Sequence, residues 1–149
     1  MAKFIFSLQN ILNIKEKLEE QAKMEFAQAR ILLDEEEARL TALLERKADY
    51  EEEGRRLRDA KLNVQDIIDN KTAIVTIDGY IDLQRLEVKK AEANLELARL
   101  KLNEAIKERK TYERLREKAH EEFIREENAR EAREVDELVS YKHTVKNKE

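Results

Sequence analysis

The residues that could do acid–base or metal chemistry in this chain of 149 residues form no recognisable catalytic or metal-binding motif. Its histidines, His120 and His143, are too far apart in sequence to match a zinc-binding pattern. The chain has no cysteine, so disulfides and thiolate metal ligands are excluded. We therefore expect neither a metal site nor a cofactor.

Carboxylates are abundant, notably at residues 34–37 and 51–53, but their surroundings do not favour catalysis. Acid–base catalysis by paired carboxylates needs a dry pocket that separates their pKa values. The glycines are Gly54 and Gly79 alone, and phosphate-binding loops need several glycines close together. We predict that the protein is not an enzyme.

The composition predicts a few very long helices. Charged residues make up 43% of the chain, against about 25% in average globular proteins. Proline is absent and glycine occurs twice, so the tight turns of sheets and compact mixed folds are largely excluded. Apolar residues still make up 41%, which is too much for a disordered chain.

An apolar stripe with alternating spacings of three and four residues runs through the first half of the chain and predicts a coiled-coil helix over about residues 7–70. Charged residues dominate the other faces. The stripe comprises Leu8, Ile11, Lys15, Leu18, Ala22, Phe26, Ala29, Leu33, Glu36, Leu40, Leu43, Lys47, Tyr50, Gly54, Leu57, Lys61, Val64 and Ile68.

The helical pattern weakens at residues 70–79, which combine β-branched residues with Gly79 and predict a bend. A second helix follows over about residues 80–141, and a frayed basic tail over 142–149. A bend near residue 74 would place Leu8 opposite Ser140. The predicted seam of the second helix comprises Leu83, Leu86, Ala93, Leu97, Leu100, Ile106, Tyr112, Leu115, Ala119, Phe123, Val135 and Leu138.

These patterns predict an all-α fold, a long antiparallel two-helix coiled-coil hairpin forming a single domain over residues 1–149. The alternative is a parallel dimer of one continuous helix, which the helix-breaking midpoint disfavours. No stretch approaches the roughly 18 apolar residues of a membrane-spanning helix, and no secretory signal is recognisable, so we expect a cytoplasmic protein.

Several segments together resemble the FliJ family of flagellar export proteins and the equivalent stalk proteins of injectisomes. Phe4, Phe6 and Leu8 match the family's Phe-x-Phe-x-Leu start. Residues 80–86, 108–118, 123–127 and 135–137 resemble later family segments, although Val135 stands where leucine is common. The order and spacing of these segments, over essentially the whole chain, carry the resemblance.

The resemblance implies a stalk-like coiled coil of the type III export apparatus. Such a protein binds the hexameric export ATPase FliI, promotes its ring assembly and activity, and connects it with the export gate protein FlhA. It is also expected to meet export chaperones, and to lie peripherally at the cytoplasmic face of the basal body without inserting into the membrane. The ATP chemistry would belong to the partner.

The residue pattern indicates two candidate contact regions. The first, for the ATPase ring, combines a terminal apolar tip with a charged band: Phe4, Phe6, Val135, Leu138, Arg109, Arg114 and Arg116. The second, for the export gate or a chaperone, lies at the predicted bend: Ile74, Val75, Ile77 and Tyr80. Simple hairpin closure, surface ion pairs and local packing at the turn are the structural alternatives.

Two other functional classes compete with this interpretation. One is a generic structural or prefoldin-like coiled-coil arm, which would have no ATPase partner. The other is a nucleic-acid-binding arm, but the net charge of −4 and the absence of a basic half disfavour it. We expect no nucleic acid partner.

Overall fold

The computed structural model describes residues 2–60 and 63–148, nearly all of which lie in two long α-helices. Helix α1 spans Gln9–Asp59 and helix α2 spans Val64–Lys148. These described residues include no strand, and the two helices pack against each other, so the predicted all-α helical hairpin is confirmed. Within the same ranges, no helix combines the length and apolar character needed to cross a bilayer.

The break between the helices lies next to Asn63 and is marked by capping and charge. The last turn of α1 carries Arg56 and Arg58, whose positive charges are favourable beside the exposed carbonyls of a helix end. Asn63 caps α2, because its Oδ1 accepts a hydrogen bond of 3.0 Å from the backbone N–H of Gln65. Asp66 adds a negative charge to the first turn of α2.

The predicted bend at residues 70–79 is wrong, since this segment is an uninterrupted part of α2. The hydroxyls of Thr72 and Thr76 donate to backbone carbonyls four residues earlier, at 3.0 and 2.9 Å. Ile77 is buried, and burying a large aliphatic side chain outweighs the roughly 0.5 kcal/mol of helix propensity that β-branching costs. The tail predicted to fray from residue 142 is helical as far as Lys148.

The contacts of the chain divide it into two compact units, each containing part of both helices. The first unit joins the residues up to Glu20 with those from Glu104 onward. Its buried apolar side chains are Phe6 and Leu12. The remaining unit is Gln21–Asn103.

The helices of the first unit pair in a different register from the predicted one. Arg116 donates its Nε–H to Oε1 of Gln9 at 3.0 Å, so the start of α1 lies beside the middle of α2. The prediction placed Leu8 opposite Ser140 and is wrong. The reason is the position of the break, which comes before residue 64 and not near residue 74.

The second unit has an apolar core in which leucines of both helices pack with small or β-branched side chains of α2. Leu33 packs there with Val88 and Ala91, and half-buried Leu40 and Leu95 extend the cluster. The predicted stripe of α1 is confirmed from Ala22 to Leu57, because each predicted position in that range is buried or half-buried. Lys61, another predicted position, lies outside the described residues.

The predicted seam of α2 is wrong in the second unit. Leu83, Leu86, Leu97 and Leu100, which we call the leucine stripe, are all more than half exposed. Their place at the α1 interface is taken by Ile77, Ile81, Val88, Ala91 and Ala98. Small and β-branched side chains permit a closer approach of the two helices than leucines do, and shape complementarity selects that face.

Candidate partner-binding surfaces

Phe4 is held against α2 by aromatic contacts rather than presented to solvent. Its ring meets the edge of His120, with centroids 5.0 Å apart and planes at 83°, and lies 5.5 Å from the ring of Phe123. The guanidinium carbon of Arg116 is 5.8 Å from the same ring. Edge-to-face and cation–π contacts of this kind favour one orientation of the ring. Phe6, two residues later, is buried.

The structure therefore does not bring together the four residues of the predicted terminal tip. Val135 and Leu138 are 58% and 60% exposed, and they lie beyond Phe123 along α2. Since a helix rises 1.5 Å per residue, Val135 is about 18 Å further along the helix than Phe123. The predicted contiguous tip is wrong, because Phe4 packs beside Phe123 and Phe6 is buried, whereas Val135 and Leu138 are exposed further along α2.

The C-terminal end of α2 is a helix that no other described segment of its own unit covers. Every residue from 128 to 147 is exposed. Its larger apolar side chains are Val135, Leu138, Val139, Tyr141 and Val145. Side chains at spacings of three and four share one helix face, so Val135, Leu138 and Val145 line a single apolar edge among charged residues.

The arginines of the predicted charged band have different environments. Arg109 donates to Glu19 at 2.6 Å and to Glu113 at 2.7 Å, and the hydrogen bond to Glu19 is the main reason that its pKa is raised. Glu19 is buried, so this pair belongs to the seam between the helices. Arg114 is exposed. The band is therefore partly structural and partly available to a partner.

A second ion pair lies in the same seam. The ammonium of Lys15 is 2.9 Å from Oε2 of Glu108 and 5.9 Å from the centre of the Tyr112 ring. The hydrogen bond to Glu108 raises the pKa of Lys15, although partial burial of the ammonium opposes the shift. The sequence placed Lys15 in the stripe, whereas the burial of Glu19 was missed because the spacing favoured Leu18.

The residues predicted to contact the export gate or a chaperone lie on α2 and not on a bend. Ile77 is buried and Ile74 is half-buried, whereas Val75 and Tyr80 are 71% and 57% exposed. Tyr80 borders an open groove of about 660 Å³, which is also lined by Leu43, Arg46, Leu83, Gln84 and Glu87. Only Val75 and Tyr80 of the predicted set are thus accessible to a partner.

The described ranges, 2–60 and 63–148, contain no group of three or more acidic or histidine side chains placed to hold a metal ion. His120 contacts Phe4, as described above, and His143 is exposed at the C-terminal end of α2. The surface features described above are apolar edges, an open groove and exposed charges. Features of these kinds are typical of protein–protein contacts.

The fold is similar to that of a solved structure. A YscO homolog, CT670, from Chlamydia trachomatis superposes with a TM-score of 0.74 at 20% sequence identity, and the match covers 99% of each chain. At this identity the likeness concerns the fold. No curated protein matches the chain.

The family comparison extends over nearly the whole sequence. The family model of the flagellar FliJ protein matches residues 4–148. Proteins of this family are stalk-like, non-enzymatic components of type III protein export. Because the match covers far more than half of the chain, this protein belongs to the FliJ family.

Proposed function

We propose that this protein binds the hexameric export ATPase FliI, promotes assembly and activity of the ring, and couples it to the export gate protein FlhA at the cytoplasmic face of the flagellar basal body. We further propose that it meets export chaperones there. Membership of the FliJ family supports a role in export, and the exposed surfaces described above supply places for such contacts.

The unpartnered C-terminal end of α2 is the observation that carries the ATPase proposal. Residues 128–147 form about 30 Å of single helix, and a single helix is only about 10–12 Å across. A segment of this width and length suits the central pore of a hexameric ring. The edge of Val135 and Leu138 gives it apolar contacts, and Arg114 in the same unit adds positive charge for an acidic ring surface.

Phe4, Phe6, Arg109 and Arg116 contribute to this surface indirectly. All of them fix the pairing of α1 and α2 in the first unit, so replacing them would disturb the helix pair itself. If Phe4→Ala or Phe6→Ala lost ATPase stimulation, the loss could come either from a missing contact with the ATPase or from a disturbed pairing of α1 and α2. The decisive substitutions lie at exposed positions.

The test measures the ATP hydrolysis rate of FliI with and without this protein. The wild-type protein is expected to stimulate hydrolysis, and Val135→Glu with Leu138→Glu is expected to weaken ring binding by at least about tenfold, which corresponds to about 1.4 kcal/mol. Ile31→Glu with Leu32→Glu is the matched control, since these side chains are 56% and 54% exposed on α1. The control should stimulate like the wild type.

Two outcomes contradict the ATPase proposal. If the wild-type protein neither binds FliI nor changes its rate, the alternative of a generic structural arm is favoured. If the double variant of Val135 and Leu138 stimulates fully, the C-terminal end of α2 is not the contact. Circular dichroism at 222 nm checks that each variant keeps its helix content.

For the export gate or a chaperone, we propose contact through Val75, Tyr80 and the groove beside Tyr80, with Ile74 and Ile77 supporting this segment from the α1 side. Val75→Ser with Tyr80→Ser should weaken binding to the cytoplasmic part of FlhA by about tenfold, measured by titration calorimetry. The Ile31 and Leu32 variant again serves as the control. Unchanged affinity of the Val75 and Tyr80 variant excludes this segment.

A further inference from the structure

Helix α2 has two apolar faces in the second unit, and α1 covers only one of them. Nine residues make two and a half helical turns, so residues nine apart point in opposite directions. Leu86, Leu97 and Leu100 each lie nine residues after a buried position: Ile77, Val88 and Ala91. The leucine stripe is therefore diametrically opposite the seam.

The leucine stripe has the spacing of a coiled-coil interface. Leu83, Leu86, Lys90, Ala93, Leu97 and Leu100 follow one another at intervals of three and four residues over six positions. The four leucines are 63%, 54%, 59% and 52% exposed. A row of this length on a water-facing helix, apolar at every position except Lys90, marks an interaction surface.

An antiparallel second copy of the stripe would pair it leucine against leucine. In the register that sets Leu83 opposite Leu100 of the other copy, Leu86 lies opposite Leu97 and Lys90 opposite Ala93. The small alanine leaves room for the aliphatic stem of Lys90. The ammonium of Lys90 already contacts Glu87 of its own helix at 3.2 Å, so its charge keeps a partner at the edge of the interface.

The flanking charges select this orientation and register. In the antiparallel pairing, Lys89 of each copy lies beside Glu96 of the other, and these two attractive pairs are accompanied by no like-charge pair. A parallel pairing would bring Asp82 beside Glu87 twice, which offsets its two attractive Glu96–Lys101 pairs, and it would also place Lys90 against Lys90 within the row. Like charges in such positions destabilise a coiled coil.

A shift of the antiparallel register by one heptad is also disfavoured. With Leu83 opposite Ala93, the flanking positions would bring together Lys89 with Lys89, Glu87 with Glu87, and Asp82 with Glu96. Each of these contacts is repulsive. The opposite shift would place Leu83 against Lys107 and Glu96 against Glu96.

We propose that the leucine stripe is a self-association surface through which two copies of this protein form an antiparallel, two-fold symmetric contact centred between Lys90 and Ala93. Such a contact is isologous, because the same patch serves both copies. The proposal goes beyond the role in export and does not depend on it. Its test requires neither FliI nor FlhA.

The first experiment measures molar mass by sedimentation velocity between about 1 and 100 μM, a range that brackets micromolar dissociation constants. The wild type is expected to dimerise. Leu86→Glu with Leu97→Glu should raise the dissociation constant at least about a hundredfold, if each lost leucine costs about tenfold. Leu32→Glu is the control, since Leu32 and Leu86 are both 54% exposed. A wild type that stays monomeric overturns the proposal, as does a double variant that dimerises normally.

Cysteine cross-linking determines the orientation, since the natural chain contains no cysteine. Leu83→Cys and Leu100→Cys are made as separate single variants and oxidised alone and as a mixture. In the antiparallel contact only the mixture should form disulfide dimers, because like positions are then about 26 Å apart. Dimers formed efficiently by each variant alone indicate a parallel contact and overturn the proposal.

Charge exchange tests the register. Lys89→Glu or Glu96→Lys alone should weaken the dimer by about tenfold, because each creates two like-charge pairs, and the combination of both should restore wild-type affinity. In a parallel dimer residues 89 and 96 are not neighbours, so the combination would bring no rescue. Absence of rescue contradicts the proposed register.

Discussion

In both units α1 packs against α2, but the side chains at the seam differ. In the first unit the seam contains the Glu19–Arg109 and Lys15–Glu108 ion pairs. In the second unit Leu33 packs against Val88 and Ala91 in an apolar cluster. A seam of hydrogen-bonded charges specifies its partner, because displacing one member leaves a charge uncompensated, whereas an apolar seam stabilises through area and tolerates sliding.

The comparison indicates that the two units stabilise the pairing of the helices in different ways. The apolar second unit supplies non-specific burial, and the charged first unit fixes the register of the two helices. The second unit has its own polar contacts at the edges of the seam, where Lys47 lies 2.7 Å from Asp78 and Gln84 donates to the backbone carbonyl of Glu36 at 3.0 Å. The difference is therefore one of degree, and the following predictions measure it.

The largest effect is expected from Leu33→Ala in the second unit. Leu33 is 7% exposed, and truncation of a buried leucine costs about 2–5 kcal/mol. Leu32→Ala is the control on the adjacent residue, which is 54% exposed and should change stability by less than about 0.5 kcal/mol. Urea unfolding followed by circular dichroism measures both. Equal effects would show that the apolar cluster does not stabilise the second unit.

In the first unit, Glu19→Gln should be the most damaging charge change. Arg109 would keep Glu113 as an acidic partner but lose the buried carboxylate that ties it to α1. We expect faster amide hydrogen exchange in residues 9–20, measured by mass spectrometry, and a smaller effect on Gln21–Asn103. Glu20→Gln, at an exposed neighbour, is the control. Similar exchange in both variants would contradict the role of the charged seam.

The two glycines should respond differently to alanine. At Gly79 an added Cβ meets nothing within 4 Å, so Gly79→Ala should stabilise α2 by about 1 kcal/mol. At Gly54 an added Cβ would lie 2.5 Å from Oδ1 of Asn70, whose amide donates to the carbonyl of Tyr50 at 2.8 Å. Gly54→Ala should therefore break that hydrogen bond, and this loss should cancel the gain in helix propensity.

Adding Asn70→Ala to Gly54→Ala sharpens this prediction. Without the Asn70 side chain the added methyl no longer clashes, so the second substitution should cost less in the Gly54→Ala background than in the wild type. Thermal unfolding of the four proteins gives the coupling. Simple additivity would contradict the close approach at Gly54.

The smallest effect is a pH dependence at the Lys15–Glu108 pair. The folded protein raises the pKa of Lys15 above its ordinary 10.5, so the stabilisation is fully present below pH 10.5 and is lost as the pH rises through the folded-state value. The melting temperature of the wild type should exceed that of Lys15→Met by a constant margin near neutrality, and the margin should shrink in strong alkali. Tyr112→Phe is the control for ionisation of the neighbouring phenol. A margin that persists in strong alkali contradicts this role.

The sequence was sufficient to identify the buried face of α1 where one row of apolar positions is much longer than any other. From Ala22 to Leu57 the exposed apolar residues, such as Ile31 and Leu32, form no second row of that length, and the structure buries the predicted row. Near the start of α1, Ile11 and Leu12 are adjacent and either could be buried. The structure buries Leu12, to 3%, and leaves Ile11 36% exposed, a choice that depends on the partner residues of α2.

The faces of α2 could not be ranked from the sequence because both are apolar. Leucine is the more hydrophobic choice, but Val88, Ala91 and Ala98 allow closer packing and are the residues buried. The break was missed because the prediction looked for glycine and β-branched residues, whereas Asn63 and Asp66 carry the capping signals. The accessible surfaces were also predicted at the wrong positions, because the position of the break sets the register of the two helices, and the register decides which side chains are left exposed.

The solitary C-terminal end of α2 has a kinetic consequence. A helix of about twenty residues without tertiary contacts is near the length at which helices in water are marginal, so its last turns open and close far faster than the paired part of the chain. Because these turns open most often, Arg130, Arg133, Lys142 and Lys146 should be the first sites at which trypsin cuts the native protein, and a bound partner should shield them. Docking this end costs ordering entropy, which favours rapid release of a bound partner.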